Sequence, residues 1–193
     1  MKNLVWKYSL PGHSKIKSKI LNIIQDYNQI NYCPDPITKT DYYDGSSYDI
    51  NNKKYLQLFF EESKSLYESI TNHYWVKDLI PINAWFQQYC LNDTHKWHIH
   101  GGSNISIVYF VELDDSKYST EFINSEENKI FQIEDTREGD VIIFPSHVLH
   151  RSPPLNRSKR KTCISMNIEL QSPKIDECTK LDPSFKKGSQ TKT

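Results

Sequence analysis

Past Pro81 the apolar residues of this chain stop recurring every three or four positions and begin to alternate, in short segments bounded by Asn, Asp, Gly and Pro. This change of period constrains the fold more than any other feature, because a segment patterned for a helix cannot bury its apolar side chains as a strand. Before it, Ile16, Ile20, Ile23, Ile24 and Tyr27 mark an amphipathic helix from Ser14 to about Asn28, after the break at Pro11 and Gly12. A second helix is predicted from about Tyr55 to His73, with Leu56, Phe59, Phe60, Leu66, Tyr67 and Ile70 as its buried stripe. Between the two, Asn31 to Lys53 has no sustained period and reads as a long loop with room for one short strand.

Beyond Pro81, strands are predicted near Asn83 to Cys90, Lys96 to His100, Ile105 to Leu113, Lys129 to Gln132, Asp140 to Phe144 and Thr162 to Leu170. Helices followed by antiparallel strands specify an α+β fold, with the N-terminal helices packed on one sheet of a sandwich or barrel. A chain of 193 residues is of a size for one domain. We expect that domain to span residues 1–170, helical in 1–80 and β in 81–170. Residues 171–193 are polar and Lys-rich, and read as a loosely held tail.

Composition removes several function classes. The 24 Lys and Arg balance 24 Asp and Glu, which disfavours a dedicated nucleic-acid binder even though Arg151, Arg157, Lys159, Arg160 and Lys161 cluster. Cys33, Cys90, Cys163 and Cys178 form no C-x-x-C pair, so free thiols are expected rather than a disulfide framework or a thiolate zinc site. No run approaches the roughly 18 apolar residues of a membrane span, and the N-terminal stretch lacks the apolar core of a secretory signal. The expected location is cytoplasmic, in a cell or a virus-infected host cell, with no membrane partner.

Chemistry is concentrated in the histidines. His98 and His100 lie two apart on a segment that alternates like a strand, and residues i and i+2 of a strand share a face. His150 follows the apolar segment from Val141 to Phe144, which Gly139 and Asp140 introduce and Pro145 ends. Three imidazoles from neighbouring strands suit Fe, Zn, Cu or Ni rather than Mg or Ca, and leave positions on the ion open for substrates. An H-x-H pair alone is weak evidence; the second segment strengthens it. His13, His73, His95 and His147 are assigned to ordinary packing or surface roles, with His95 and His147 able to line an entrance.

Together the segments HIHGGSNISIVYFVEL, GDVIIFPSHVLH and RKTCISMNIEL resemble the iron(II)- and 2-oxoglutarate-dependent oxygenases, in particular the prolyl-hydroxylase-like group of phages and bacteria. The resemblance covers about Ala84 to Leu170. It implies a double-stranded β-helix, a cupin-like jelly roll, that holds Fe(II) through His98, His100 and His150, chelates 2-oxoglutarate and activates O2. It also implies that Tyr89, nine residues before His98, contacts the cosubstrate. A basic residue about ten positions after His150 should then pair with the far carboxylate. Arg160 and Lys161 both qualify, and the register counted back from Asn167 selects Lys161, which shares a face with Cys163, Ser165 and Asn167.

The chain departs from the family at His100, where most members carry Asp or Glu. Either His100 is a third imidazole ligand, the reading we favour, or it lies behind the ligands and a halide or water takes the place. Asp93, Asp114 and Asp115 lack the spacing to substitute. Tyr109 is read as core, with a lesser claim to face the iron. The expected activity is hydroxylation of a C–H bond in a peptide, prolyl or small-molecule substrate, with the loop from Asn31 to Lys53 as a lid. The alternatives are a three-His cupin-type dioxygenase that needs no 2-oxoglutarate, and a non-catalytic ligand-binding jelly roll.

Overall fold

The computed structural model describes residues 4–27 and 37–174. Its strands form two antiparallel sheets. The larger contains β1 (Trp6–Ser9), β2 (Lys39–Thr40), β3 (Val76–Tyr89), β5 (Ile105–Glu112), β8 (Asp140–Pro145) and β10 (Lys161–Pro173), in the order β1-β8-β5-β10-β3-β2. The smaller contains β4 (His95–His98), β6 (Glu121–Asn124), β7 (Lys129–Phe131) and β9 (His150–Ser152), in the order β4-β9-β6-β7. The helices are α1 (His13–Gln25), α2 (Lys54–Glu62) and α3 (Lys64–His73).

Strand parity explains the layering. On β5, Ile105, Ile107, Tyr109 and Val111 join a core that also holds Ile16, Ile20 and Ile24 of α1, Phe59 of α2 and Ile70 of α3. The intervening Val108 and Phe110 join a second core with Phe122 and Phe131 of the smaller sheet. β8 divides the same way, with Val141 and Ile143 toward the helices and Ile142 and Phe144 toward the smaller sheet. The larger sheet is therefore apolar on both faces, which is why β5 and β8 read as nearly unbroken apolar runs. Between the sheets lies the space that holds the site.

The turn before β8 depends on Gly139, whose φ of 88° lies in the left-handed region. A Cβ there would stand 3.0 Å from the His13 ring, so the glycine also lets α1 approach the sheet closely. Its amide donates to the Phe110 carbonyl at 2.8 Å, tying the turn to β5.

Several expectations need correction. The helix predicted from Tyr55 to His73 is two helices, broken at Ser63, whose hydroxyl donates back to the Phe60 carbonyl at 3.1 Å. The break rotates the stripe: Tyr55, Leu56, Phe59, Leu66 and Ile70 are buried, while Phe60 and Tyr67 are exposed. β3 begins at Val76, so the β region does not wait for Pro81. Proline is accommodated there by a bulge, for Asn83 faces Asn167 and Pro81 faces Ile168 with Ile82 as the extra residue.

β1, β6 and β9 were not foreseen, being only three or four residues long and bearing little alternation. The predicted strand from Lys96 to His100 runs instead from His95 to His98. β10 continues to Pro173, past the predicted start of the tail, and residues 175–193 lie outside the described part. Within the predicted loop, residues 31–36 also lie outside it. The rest is pinned down: β2 pairs with Gln87 and Gln88, and Asp41 is buried against Lys53 Nζ at 2.7 Å and the Tyr55 hydroxyl at 2.7 Å.

Candidate metal centre

β4 and β9 pair so that His98 stands directly opposite His150. His100 lies just past the end of β4, where its amide donates to the Ser146 carbonyl at 2.9 Å, and this turns its ring back toward the other two. One ligand nitrogen from each of His98, His100 and His150 falls within 4.8 Å of the others. The Nε2 atoms of His100 and His150 are 3.2 Å apart. Two imidazoles bound cis to one ion at about 2.1 Å would hold their nitrogens about 3 Å apart, so this pair already has the spacing of ligands.

The surroundings keep the His100 and His150 rings neutral. Burial, with His98 beside it, lowers the His150 pKa to about 2, and burial with the nearby His98 and His95 lowers that of His100 to about 3. Neutral imidazole is the form that ligates. Two of the rings are also oriented from behind: His98 Nδ1 donates to the Lys96 carbonyl at 2.7 Å and His150 Nδ1 to the Val148 carbonyl at 2.8 Å. A carbonyl only accepts, so Nδ1 carries the proton in each and Nε2 carries the lone pair.

Among the described residues the cluster contains only imidazoles. The carboxylates considered from the sequence are engaged elsewhere. Asp93 accepts from the amides of Thr38 and Cys90, both at 2.8 Å, and Asp114 pairs with Arg157 and Lys159. Asp115 accepts from the Lys117 amide at 3.1 Å.

Behind the imidazoles, Lys161 of β10 stands opposite Tyr89 of β3, and its Nζ lies 4.4 Å from the centre of that ring. Lys161 is 3% exposed. It donates to the Tyr118 carbonyl at 2.9 Å and to the Ser152 hydroxyl, and no described ion pair includes it. Burial pushes its pKa down to about 8, opposed by Cys163 and by Glu121, whose carboxylate is held by Arg151 at 2.6 Å. A buried ammonium without a counter-ion is costly, and a site that maintains one is suited to receive an anion.

Arg160 is turned the other way. Its guanidinium makes two bonds to Glu112, at 2.8 and 2.9 Å, outside the cavity. Tyr109 also lies off the site, on the helix face, where its hydroxyl meets His13 Nδ1 at 2.7 Å. His147 is exposed, and His73 packs on Trp6 with ring centres 4.8 Å apart.

His95 is closer to the centre than its sequence suggested. Its ring centre is 4.0 Å from that of His98, Gln87 Nε2 lies 3.2 Å from its Nδ1, and burial lowers its pKa to about 3. Tyr42, Tyr43 and Trp85 line an adjoining cavity with His98 and His100. Their ring centres are 4.8 and 4.9 Å from one another in edge-to-face contact. Trp85 and Gln87 share the parity of Tyr89 on β3 and were accessible from it; nothing in the sequence marked Tyr42 and Tyr43.

No protein-family model and no curated protein sequence matches the chain. Solved structures do. A viral collagen prolyl hydroxylase from Paramecium Bursaria Chlorella virus-1, in complex with 2-oxoglutarate, superposes with a TM-score of 0.59 at 10% identity, over 86% of this chain and 95% of that one. The chain has the double-stranded β-helix fold of the 2-oxoglutarate–Fe(II) oxygenases. A prolyl hydroxylase from Trichoplax adhaerens, with a hypoxia inducible factor peptide fragment, aligns at 0.60 and 14% identity over 93% of this chain and 87% of that one. HygX from Streptomyces hygroscopicus, with nickel, 2-oxoglutarate and hygromycin B bound, aligns at 0.63 and 7% over 87% and 83%. The imidazoles line a cavity whose walls come from both sheets, among them Tyr89, Phe110 and Lys161 of the larger and Ser152 of the smaller. No helix among the described residues is long and apolar enough to cross a membrane.

Proposed function

We propose that this chain is an Fe(II)- and 2-oxoglutarate-dependent dioxygenase that hydroxylates a C–H bond of a peptide, prolyl or small-molecule substrate. The observation that carries the reading is the buried Lys161 ammonium in the cavity that the imidazoles line, a fixed positive charge beside a set of metal donors. His98, His100 and His150 would hold the iron, their mutual spacing being that of a ligand set. Lys161 would grip the distal carboxylate of 2-oxoglutarate, with the Tyr89 hydroxyl as a second donor, and Arg160 would remain with Glu112.

When bound, the metal and cosubstrate supply the oxidative chemistry: one atom of O2 enters the substrate as a hydroxyl, the other enters succinate, and CO2 leaves. The protein's part is orientation and exclusion of water. His98, His100 and His150 would hold the metal, and Lys161 would hold the far end of the cosubstrate in the same cavity. Trp85, Tyr42 and Tyr43 wall the approach and would present the substrate, with the segment around Tyr42 serving as the lid.

An anaerobic Fe(II) titration, followed by 2-oxoglutarate, tests the reading. The expected result is a visible charge-transfer band that appears only when both are present, and that is absent in His150→Ala. Iron binding without any band or calorimetric binding of 2-oxoglutarate would instead support a three-His cupin-type dioxygenase, which the lack of a carboxylate in the cluster favours. Failure to bind iron at all would leave a ligand-binding jelly roll.

A further inference from the structure

β2 ends after two residues, although β3 offers it a longer edge. Thr40 stands opposite Gln87, so a third residue of β2 would bring the Asp41 backbone against Phe86. Side chains take that place instead. The Phe86 amide donates to Asp41 Oδ1 at 2.9 Å, and the Phe86 carbonyl accepts from the Thr40 hydroxyl at 2.7 Å. Two residues back along the same edge, the Ala84 carbonyl accepts from Lys53 Nζ at 2.9 Å, and this ammonium pairs with Asp41 Oδ2 at 2.7 Å. The Tyr55 hydroxyl donates to the same oxygen at 2.7 Å. The edge of β3 is therefore satisfied without a strand, by Thr40 and by an ion pair whose side chains are 0% and 3% exposed.

A buried ion pair is a poor way to stabilise a core, because desolvating both charges offsets most of their attraction, and apolar side chains of similar volume do as well. What this pair supplies is a route for the main chain. With the edge closed by side chains, the backbone leaves the sheet at Asp41 and crosses to the cavity, its turn begun by the Tyr42 amide, which donates to the Thr40 hydroxyl at 3.1 Å. The Tyr42 ring then packs on Trp85 with centres 4.8 Å apart, and Tyr43 packs on Tyr42 at 4.9 Å. Trp85 is 3% exposed, and its ring centre is 5.6 Å from that of His100. It lies between Ala84 and Phe86, whose backbones the three side chains grip. One grip thus sets both parts of the wall, Trp85 on the strand and Tyr42 on the segment that departs from it.

We infer that Thr40, Asp41 and Lys53 are positioning residues for the substrate: they hold Tyr42 and Tyr43 over Trp85 and so set the size of group that reaches the metal, a role that rests on the reading of His98, His100 and His150 as the metal centre. None of the three lines the imidazole cavity or the aromatic cavity beside it, so they act through Tyr42 and Trp85.

In the full chain carrying Trp6→Phe, Trp75→Phe and Trp97→Phe, Trp85 is the sole tryptophan, and quenching of its fluorescence by acrylamide reports whether the wall covers it. Two variants loosen the grip: Thr40→Val, which keeps the shape and removes the hydroxyl, and Asp41→Leu with Lys53→Met, which replaces the pair by apolar side chains. Quenching in both should rise to that of Tyr42→Ala, in which the wall is removed outright, while Thr40→Ser, which keeps the hydroxyl, should behave as the parent. With Co(II) bound, visible spectra follow two ligands of different bulk. Both variants should bind 4-phenylimidazole about tenfold more tightly than the parent and azide within about twofold of it. Parental quenching together with parental exclusion of 4-phenylimidazole in Thr40→Val would show that the grip is only structural and overturn the inference, with the metal site left standing. Should the double variant fail to fold, Thr40→Val decides alone. Co(II) that binds without the spectrum of imidazole coordination would overturn the metal centre, while the quenching, which needs no metal, still decides whether these residues hold the wall.

Discussion

Replacing Lys161 with Met separates a binding role from a structural one, because the two make opposite demands on stability. Met keeps the length of the side chain and removes the charge. In the folded protein the ammonium has a pKa of about 8 against an ordinary 10.5, chiefly from burial. The charged form is thus disfavoured by about 3 kcal/mol. That penalty is present in full below pH 8 and fades as the pH rises toward 10.5, so wild-type stability should climb through this window and that of Lys161→Met should not.

Against the relief stands the loss of two hydrogen bonds, to the Tyr118 carbonyl and the Ser152 hydroxyl, worth about 1 kcal/mol each. At pH 7.5 the variant should therefore unfold within about 1–2 kcal/mol of the wild type, toward greater stability. Its affinity for 2-oxoglutarate should fall by about 3 kcal/mol, a factor of about 150, because a carboxylate is left in the cavity with no cation. Urea unfolding and anaerobic calorimetry measure the two quantities on one preparation. A variant that binds 2-oxoglutarate within threefold of wild type, or that loses more than 3 kcal/mol of stability, refutes the argument that the cost of burying this charge is met by an anion.

Arg160→Ala should leave 2-oxoglutarate affinity unchanged, since Arg160 is bound to Glu112 outside the cavity; a tenfold loss by calorimetry would restore it as the cosubstrate's partner. Acid should destabilise the metal-free protein. His150, His100 and His95 have folded pKa values of about 2, 3 and 3 against an ordinary 6.5, so stability is lost as the pH falls below 6.5, each contributing up to about 1.4 kcal/mol per pH unit. His150→Phe should flatten that slope between pH 6.5 and 5 in urea titrations, and an unchanged slope counts against it. Lys53→Met should cost about 3–5 kcal/mol, because it strands the Asp41 carboxylate in the core beneath α2; chemical denaturation of Lys53→Met and of Lys53→Met with Asp41→Asn, in which the carboxylate is gone and much of the stability returns, checks the cause.

What the sequence conveyed about the fold was what period conveys. α1 and the long strands β3, β5, β8 and β10 announce themselves because each carries enough apolar residues to establish a repeat. β9 does not, although it bears His150, because three residues cannot define a period. Ser63 was invisible for a related reason: the apolar spacing continues across it, while its amide and hydroxyl both bond back to the Phe60 carbonyl where one helix ends and another begins. The direction of Arg160 and Lys161 was legible because parity on a strand is fixed once one neighbour is placed. His95 was not, since its nearness to His98 comes from the bulged pairing of β4 with β9 rather than from spacing.

The same parity ties the two halves of the site together. Lys161, Cys163, Ser165 and Asn167 occupy one face of β10, and the pairing with β3 holds them in fixed register against Tyr89, Gln87, Trp85 and Asn83. One end of this face carries the buried ammonium; six residues on, the other end carries the Asn167 amide, 3.3 Å from His100 Nδ1. At about 3.3 Å per residue the strand sets these groups about 20 Å apart in Cα, and the lysine's long side chain, lying across Tyr89, brings its charge back toward the cavity. A one-residue slip of β10 would move the ammonium and the amide to the helix face together. The bulge at Ile82 lies just beyond Asn167, past the residues that face the cavity, so the irregularity forced by Pro81 leaves the register of Lys161 and Asn167 intact.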